Sequence, residues 1–114
     1  MDTHTVLDDY EDFTHSTSKF PEDQAVAYLL LGLGGEVGEL QNFWKKRVRR
    51  GIGQPDSADE LAMADELGDV LWYLVRLASE LGWTLKDLAA MNESKLLSRQ
   101  ANDTITNLKH EDQS

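Results

Sequence analysis

The sequence has no cysteine. That excludes disulfides and thiolate metal sites, and it suits a reducing, cytoplasmic setting. No apolar run reaches the ~18 residues of a membrane span. The first residues, MDTHTVLDDYEDF, are acidic and lack the basic-then-apolar order of a signal peptide. Positive charge is scarce: eleven basic residues stand against twenty-one acidic ones, for a net charge of −10. A generic polyanion binder is usually basic, so duplex DNA and RNA are poor partners for this chain. Strand signals are missing too, with no sustained alternation, no Asn-Gly hairpin and no fixed-period repeat. Histidine is rare. His4, His15 and His110 all fall outside the central segments, and no Glu-x-x-His occurs. A di-iron carboxylate bundle needs that motif, so iron oxidation chemistry is disfavoured.

What is there reads as helix. With 114 residues and 40% apolar side chains, the chain suits one folded domain, taken here as residues 1–100 with a polar tail, 101–114, expected to be poorly ordered. Val6, Leu7, Tyr10 and Phe13 recur at helical spacing and predict a first helix over about residues 3 to 15. Pro21, followed by Glu22 and Asp23, predicts a second helix from about Pro21 to Arg50, stopped by the turn residues GIGQPDS. A third helix is predicted from Ser57 or Asp59, either able to cap it, to Gly82. Thr84 and Asp87 form a capping-box pair that opens a fourth, ending near Gln100. The fold expected is an all-α, four- to five-helix bundle with antiparallel neighbours. Leu67, Val70, Leu71, Trp72, Leu74, Val75, Leu77 and Ala78 cannot share one stripe of the third helix. A helix apolar nearly all round is buried nearly all round, which predicts a homo-oligomer with this helix near its interface.

The second helix carries an anomaly, LGLGGEVGEL. Gly32, Gly34, Gly35 and Gly38 lie within ten residues, and each weakens a helix by roughly 1 kcal/mol relative to alanine. A break near Gly32–Gly35 is one consequence. Among the glycines stand Glu36 and Glu39, three apart and therefore on one face. Glu66 and Asp69 repeat that spacing in DELGDVLWY. If the turn is centred near residues 51 to 57, positions 36–39 face positions around 69–72, and the two acidic pairs converge. One Glu-x-x-Glu alone reads as a solvated face. Two pairs on adjacent helices, each set among leucines and valines, would repel strongly unless cations or protons neutralise them. An all-oxygen ligand set favours Mg2+ or Mn2+ over zinc or copper. Gly35, Gly38 and Gly68 are then expected to clear bulk beside the carboxylates.

Lys45, Lys46, Arg47, Arg49 and Arg50 concentrate positive charge at the end of the second helix. Lys46 and Arg47 flank the carboxylate face, although such a run also serves as a helix end favoured by the helix dipole. Asn92, Lys95 and Arg99 share one face of the fourth helix. Cations beside a divalent-metal site suggest a polyphosphate ligand. Phe43, Trp44, Trp72 and Tyr73 could stack a base. Tyr73, four residues past Asp69, is the strongest of them.

GGEVGEL, ADELGDVLWYLVRLASELG and the N-x-x-K-x-x-x-R of NESKLLSRQ resemble the MazG-like nucleotide pyrophosphohydrolases of the all-α NTP pyrophosphatase superfamily. The resemblance takes in DDYEDFTHSTSKFPEDQAVAYL as well and covers about residues 8 to 100. It implies magnesium-dependent cleavage of a nucleoside triphosphate to a monophosphate and pyrophosphate, by a homodimer or tetramer, often to remove unwanted nucleotides. It implies Glu36, Glu39, Glu66 and Asp69 as metal ligands. Glu39 is the candidate to orient or deprotonate water, and Lys46, Tyr73, Asn92, Lys95 and Arg99 are the candidate substrate contacts. Deoxynucleotides are the expected substrates, by analogy with small single-module members. A non-catalytic helical interaction module and a phosphohydrolase acting on phosphoribosyl-ATP are the rival expectations.

Overall fold

A computed structural model of the chain describes the backbone of residues 3–113 and the side chains of residues 6–103. The side chains of His4 and His110 therefore lie outside the described residues. Four α-helices follow one another: α1 (Thr3–Ser16), α2 (Ala25–Arg49), α3 (Ser57–Glu80) and α4 (Leu85–Gln113), with a single 3-10 turn, Glu22–Gln24, before α2. No strand occurs among the described residues, so the fold is all-α as expected. No helix among them is long and apolar enough to cross a membrane. The chain divides into two compact units, Met1–Gly82 and Trp83–Ser114.

Within the first unit, α2 and α3 pack antiparallel, and α1 lies against α3. The glycine-rich stretch does not break α2, which runs unbroken from Ala25 to Arg49. Strong helix formers flank it, and the burial of Ala25 and Leu29 holds its first turns to the core, so packing overrides local propensity. Where the sequence predicted helix from Pro21, a 3-10 turn closes instead, the Gln24 amide donating to the Pro21 carbonyl at 3.1 Å. α2 ends in a Schellman motif. Gly51 takes a φ of +81°, its amide donates to the Val48 carbonyl at 2.9 Å, and the Ile52 amide donates to the Arg47 carbonyl at 3.0 Å. Gly82, with a φ of +86°, ends α3 in a similar way.

The cap of α3 is Asp56, one residue before the expected Ser57. Its carboxylate accepts the Asp59 amide at 2.8 Å, and Asp59 reaches back to the Asp56 amide at 3.3 Å, a capping box with aspartate in both roles. Buried Asp59 has a second function. Nε and Nη2 of Arg47 both approach its Oδ1 at 2.9 Å, while the Arg47 guanidinium sits 5.0 Å from the centre of the Phe43 ring. This ion pair staples the end of α2 to the start of α3 and so sets their register.

Side-chain hydrogen bonds tie α1 and the residue after it to α3. The indole of Trp72 donates to the Thr17 hydroxyl at 2.8 Å. Nη1 and Nη2 of buried Arg76 lie 2.7 and 2.8 Å from the two ring nitrogens of His15. The hydroxyls of Thr14, Ser16, Thr17 and Ser18 bond back to carbonyls of the last turns of α1, which is how HSTS ends that helix. Among the described residues, the buried apolar set is small: Ala25, Leu29, Val75 and Ala78.

In the second unit, the expected capping box of α4 is present. The Asp87 amide donates to the Thr84 hydroxyl at 3.1 Å, and the Thr84 amide donates to the Asp87 carboxylate at 3.0 Å. These bonds hold the Asp87 carboxyl below the ordinary carboxylate range. The helix passes the expected end at Gln100 and continues through the polar tail to Gln113. No glycine or proline follows Gly82, so the tail carries no stop signal.

Candidate metal centre

Counting from the Arg47–Asp59 staple places the carboxylates. Glu36 lies eleven residues before Arg47, and Asp69 ten residues after Asp59. At 1.5 Å per residue both stand about 15–16 Å from the staple. Glu39, eight residues back, and Glu66, seven residues on, likewise meet near one height. One oxygen from each of Glu36, Glu39 and Glu66 falls within 4.8 Å of the others. Asp69 stands beside this trio rather than in it. It is exposed and lines the adjoining cavity with Glu36, and an aspartate arm is one methylene shorter than a glutamate's.

The trio is electrostatically strained. Burial, then the charges of Glu39, Asp69 and Glu66, push the Glu36 carboxyl above the ordinary carboxylate range. Burial, then Glu39 and Asp69, do the same to Glu66. A hydrogen bond between the two favours the proton on Glu36. One oxygen of each, Oε2, is nevertheless buried with no hydrogen-bond partner. A carboxylate oxygen out of water and without a partner is costly. A hard divalent cation, bound through oxygen, would satisfy both orphaned atoms and reverse the sign of the local field. The residues present therefore fit such an ion.

Beside the trio opens a cavity of about 410 Å³ lined by Phe13, Thr17, Glu36, Asp69, Trp72 and Tyr73. Its lining combines two carboxylates with three aromatic rings. Trp72 and Tyr73 meet edge to face, with centroids 5.0 Å apart at 81°. Burial first, then Tyr28, Glu36 and Asp69, push the Tyr73 phenol up. Burial, then Asp69, raises that of Tyr10.

Sequence spacing alone missed what α1 contributes. Phe13 belongs to an apolar set that predicts burial, yet it is 58% exposed and forms part of the cavity wall. That wall exists only because α1 folds onto α3, a long-range contact that local periodicity does not encode. Lys46 is exposed on α2. Arg47, expected at the edge of the site, is taken up by Asp59. Asn92, Lys95 and Arg99 are exposed on one face of α4, in the second unit. The glycines differ from expectation. A Cβ on Gly35, Gly38 or Gly68 would meet nothing within 4 Å, whereas one on Gly32 would collide with the Tyr73 ring.

Residues 24–103 match the family model described as the MazG nucleotide pyrophosphohydrolase domain. The chain is also similar to the Gene 37 protein of Mycobacterium phage L5, at 37% identity over 84 residues, which is 72% of each protein. No solved structure matches it.

Proposed function

The chain belongs to the MazG nucleotide pyrophosphohydrolase family, and from that premise we propose that it is a magnesium-dependent nucleoside triphosphate pyrophosphohydrolase. It would convert a triphosphate and water to the monophosphate and pyrophosphate. The observation that carries this reading is the pair of buried, partnerless oxygens on Glu36 and Glu66, set among converging carboxylates beside a cavity partly lined by aromatic rings. Glu36, Glu39, Glu66 and Asp69 would hold the magnesium. When bound, it neutralises phosphate charge and acidifies a water molecule.

The chain's own residues have distinct roles in this scheme. Glu39, the exposed member of the trio, would be the carboxylate that orients the attacking water or takes its proton. Attack at the α-phosphorus breaks the α–β anhydride bond, and pyrophosphate leaves. Tyr73 and Trp72 would contact the nucleoside. Asn92, Lys95 and Arg99 would meet phosphate or sugar, a carry-over supported by the family motif, and Lys46 would meet phosphate, a role suggested by its place in the basic run of α2. Deoxynucleoside triphosphates are the proposed preference and removal of unwanted nucleotides the proposed role, supported by the likeness to small single-module members. A homodimer or tetramer is proposed because Leu61, Leu67 and Leu74 of α3 are exposed, at 75%, 54% and 37%, and a helix this apolar asks for cover. A cytoplasmic setting is proposed from the cysteine-free composition.

A panel of ribo-, deoxyribo- and damaged triphosphates, assayed for pyrophosphate with magnesium, tests the proposal. Release of pyrophosphate and monophosphate in equal amounts, abolished by chelation, is expected. Absence of turnover across the panel, with no heat on titrating magnesium and a non-hydrolysable triphosphate into the protein, would leave a non-catalytic helical module.

A further inference from the structure

Gly32 stands one turn before Glu36 on α2. A Cβ added there would overlap the Tyr73 ring, nearest to Cε1, then Cζ and Cδ1. Gly34, Gly35, Gly38 and Gly68 have no such neighbour within 4 Å. Of the glycines near the carboxylates, only Gly32 is demanded by a contact within the chain. The ring it admits also has aromatic neighbours. Beyond burial, Tyr28 is near enough to help raise its phenol, Tyr28 stacks on Phe20 with centroids 5.5 Å apart, and the Trp72 ring meets the Tyr73 ring edge to face. Beyond the ring lies the cavity that Glu36 and Asp69 also line.

We propose that Gly32 is a positioning residue that sets the depth of the nucleotide pocket: by presenting no side chain, it lets Tyr73 lie back against α2 and keeps space open beside the carboxylates. This inference rests on the pyrophosphohydrolase reading. The argument is steric. Ala25 and Leu29 are buried on the same helix, so the α2 backbone cannot retreat without unpacking them. The Tyr73 side chain does have room, because one of its sides borders an open cavity. A methyl group at position 32 therefore moves the ring rather than the helix, and the ring takes volume from the pocket. Glu36 keeps its place on the helix, so metal binding is spared while access for the nucleoside is lost. Helix propensity alone predicts something different, because alanine is a better helix former than glycine and would leave the pocket unchanged.

A double-mutant cycle separates these outcomes. Gly32→Ala is expected to raise the KM for the preferred triphosphate by about tenfold while kcat stays within about twofold. Mn2+ affinity, followed by electron paramagnetic resonance, is expected to match that of the wild type. In a Tyr73→Ala background the same substitution should leave KM unchanged and raise Tm by more than it does beside Tyr73. A wild-type KM in Gly32→Ala, or an equal penalty in both backgrounds, would overturn the inference. If the wild-type chain turns over no triphosphate, the pyrophosphohydrolase reading fails instead. The Tm comparison then decides the contact by itself, an equal gain in both backgrounds counting against it.

Discussion

Glu36 and Glu66 are the residues at which folding and function pull apart. Each has a buried oxygen without a partner, and each is held above the ordinary carboxylate range by burial and by its acidic neighbours. In the metal-free protein, the folded state therefore binds protons more tightly than the unfolded chain does. Stability must then rise as pH falls from neutrality towards the ordinary carboxylate range, and fall again as pH rises through the elevated values. Magnesium should reverse the trend, since it binds the deprotonated form. Melting curves in chelator and in magnesium across pH 5 to 8 check this. The expected result is a metal-induced gain in Tm that grows with pH. By the same argument, Glu36→Gln should raise the Tm of the metal-free protein while reducing pyrophosphate release by roughly 1,000-fold. Glu36, Glu39, Glu66 and Asp69 were all legible as a set from their three-residue spacing. The offset of Asp69 from the other three was not, because spacing fixes the face of a helix and leaves side-chain length and direction open.

Arg47 and Asp59 carry the argument at the level of the elements. Their ion pair joins α2 to α3 across the turn, and the heights of the carboxylates follow from it. Asp59→Asn keeps the size of the side chain but removes the charge from a pair in which Asp59 is 3% exposed. It should lower stability by about 2 kcal/mol, read as a shift in the urea midpoint at constant slope. It should also weaken Mn2+ binding, because the register loosens. The turn itself was legible from GIGQPDS, the extent of α1 from its apolar spacing, and the end of α3 and the start of α4 from their caps. The unbroken course of α2 was not legible: glycine propensity is local, whereas the packing of Leu29 against the core is not. The staple was hidden for a related reason. Arg47 sits inside a basic run that looks like a solvated helix end, and only the folded turn brings it to Asp59.

At the scale of the molecule, a small buried core contrasts with large apolar side chains left exposed, Leu31 at 76% and Leu61 at 75% among them. Self-association along α3 would cover part of that surface. Light scattering at micromolar protein is expected to give a multiple of 12.9 kDa, and Leu67→Glu is expected to shift the population towards monomer. A wild-type protein found only at 12.9 kDa would end the oligomer proposal. The sequence motivates this proposal through the all-round apolarity of the third helix, since no single face can bury it.

The proposed chemistry requires a divalent cation held between α2 and α3. A crystal soaked in manganese and measured for anomalous scattering tests that directly. The predicted result is one or more peaks within coordination distance of Glu36, Glu39 and Glu66. A map with no peak there, or with those three carboxylates turned apart into solvent, would contradict it.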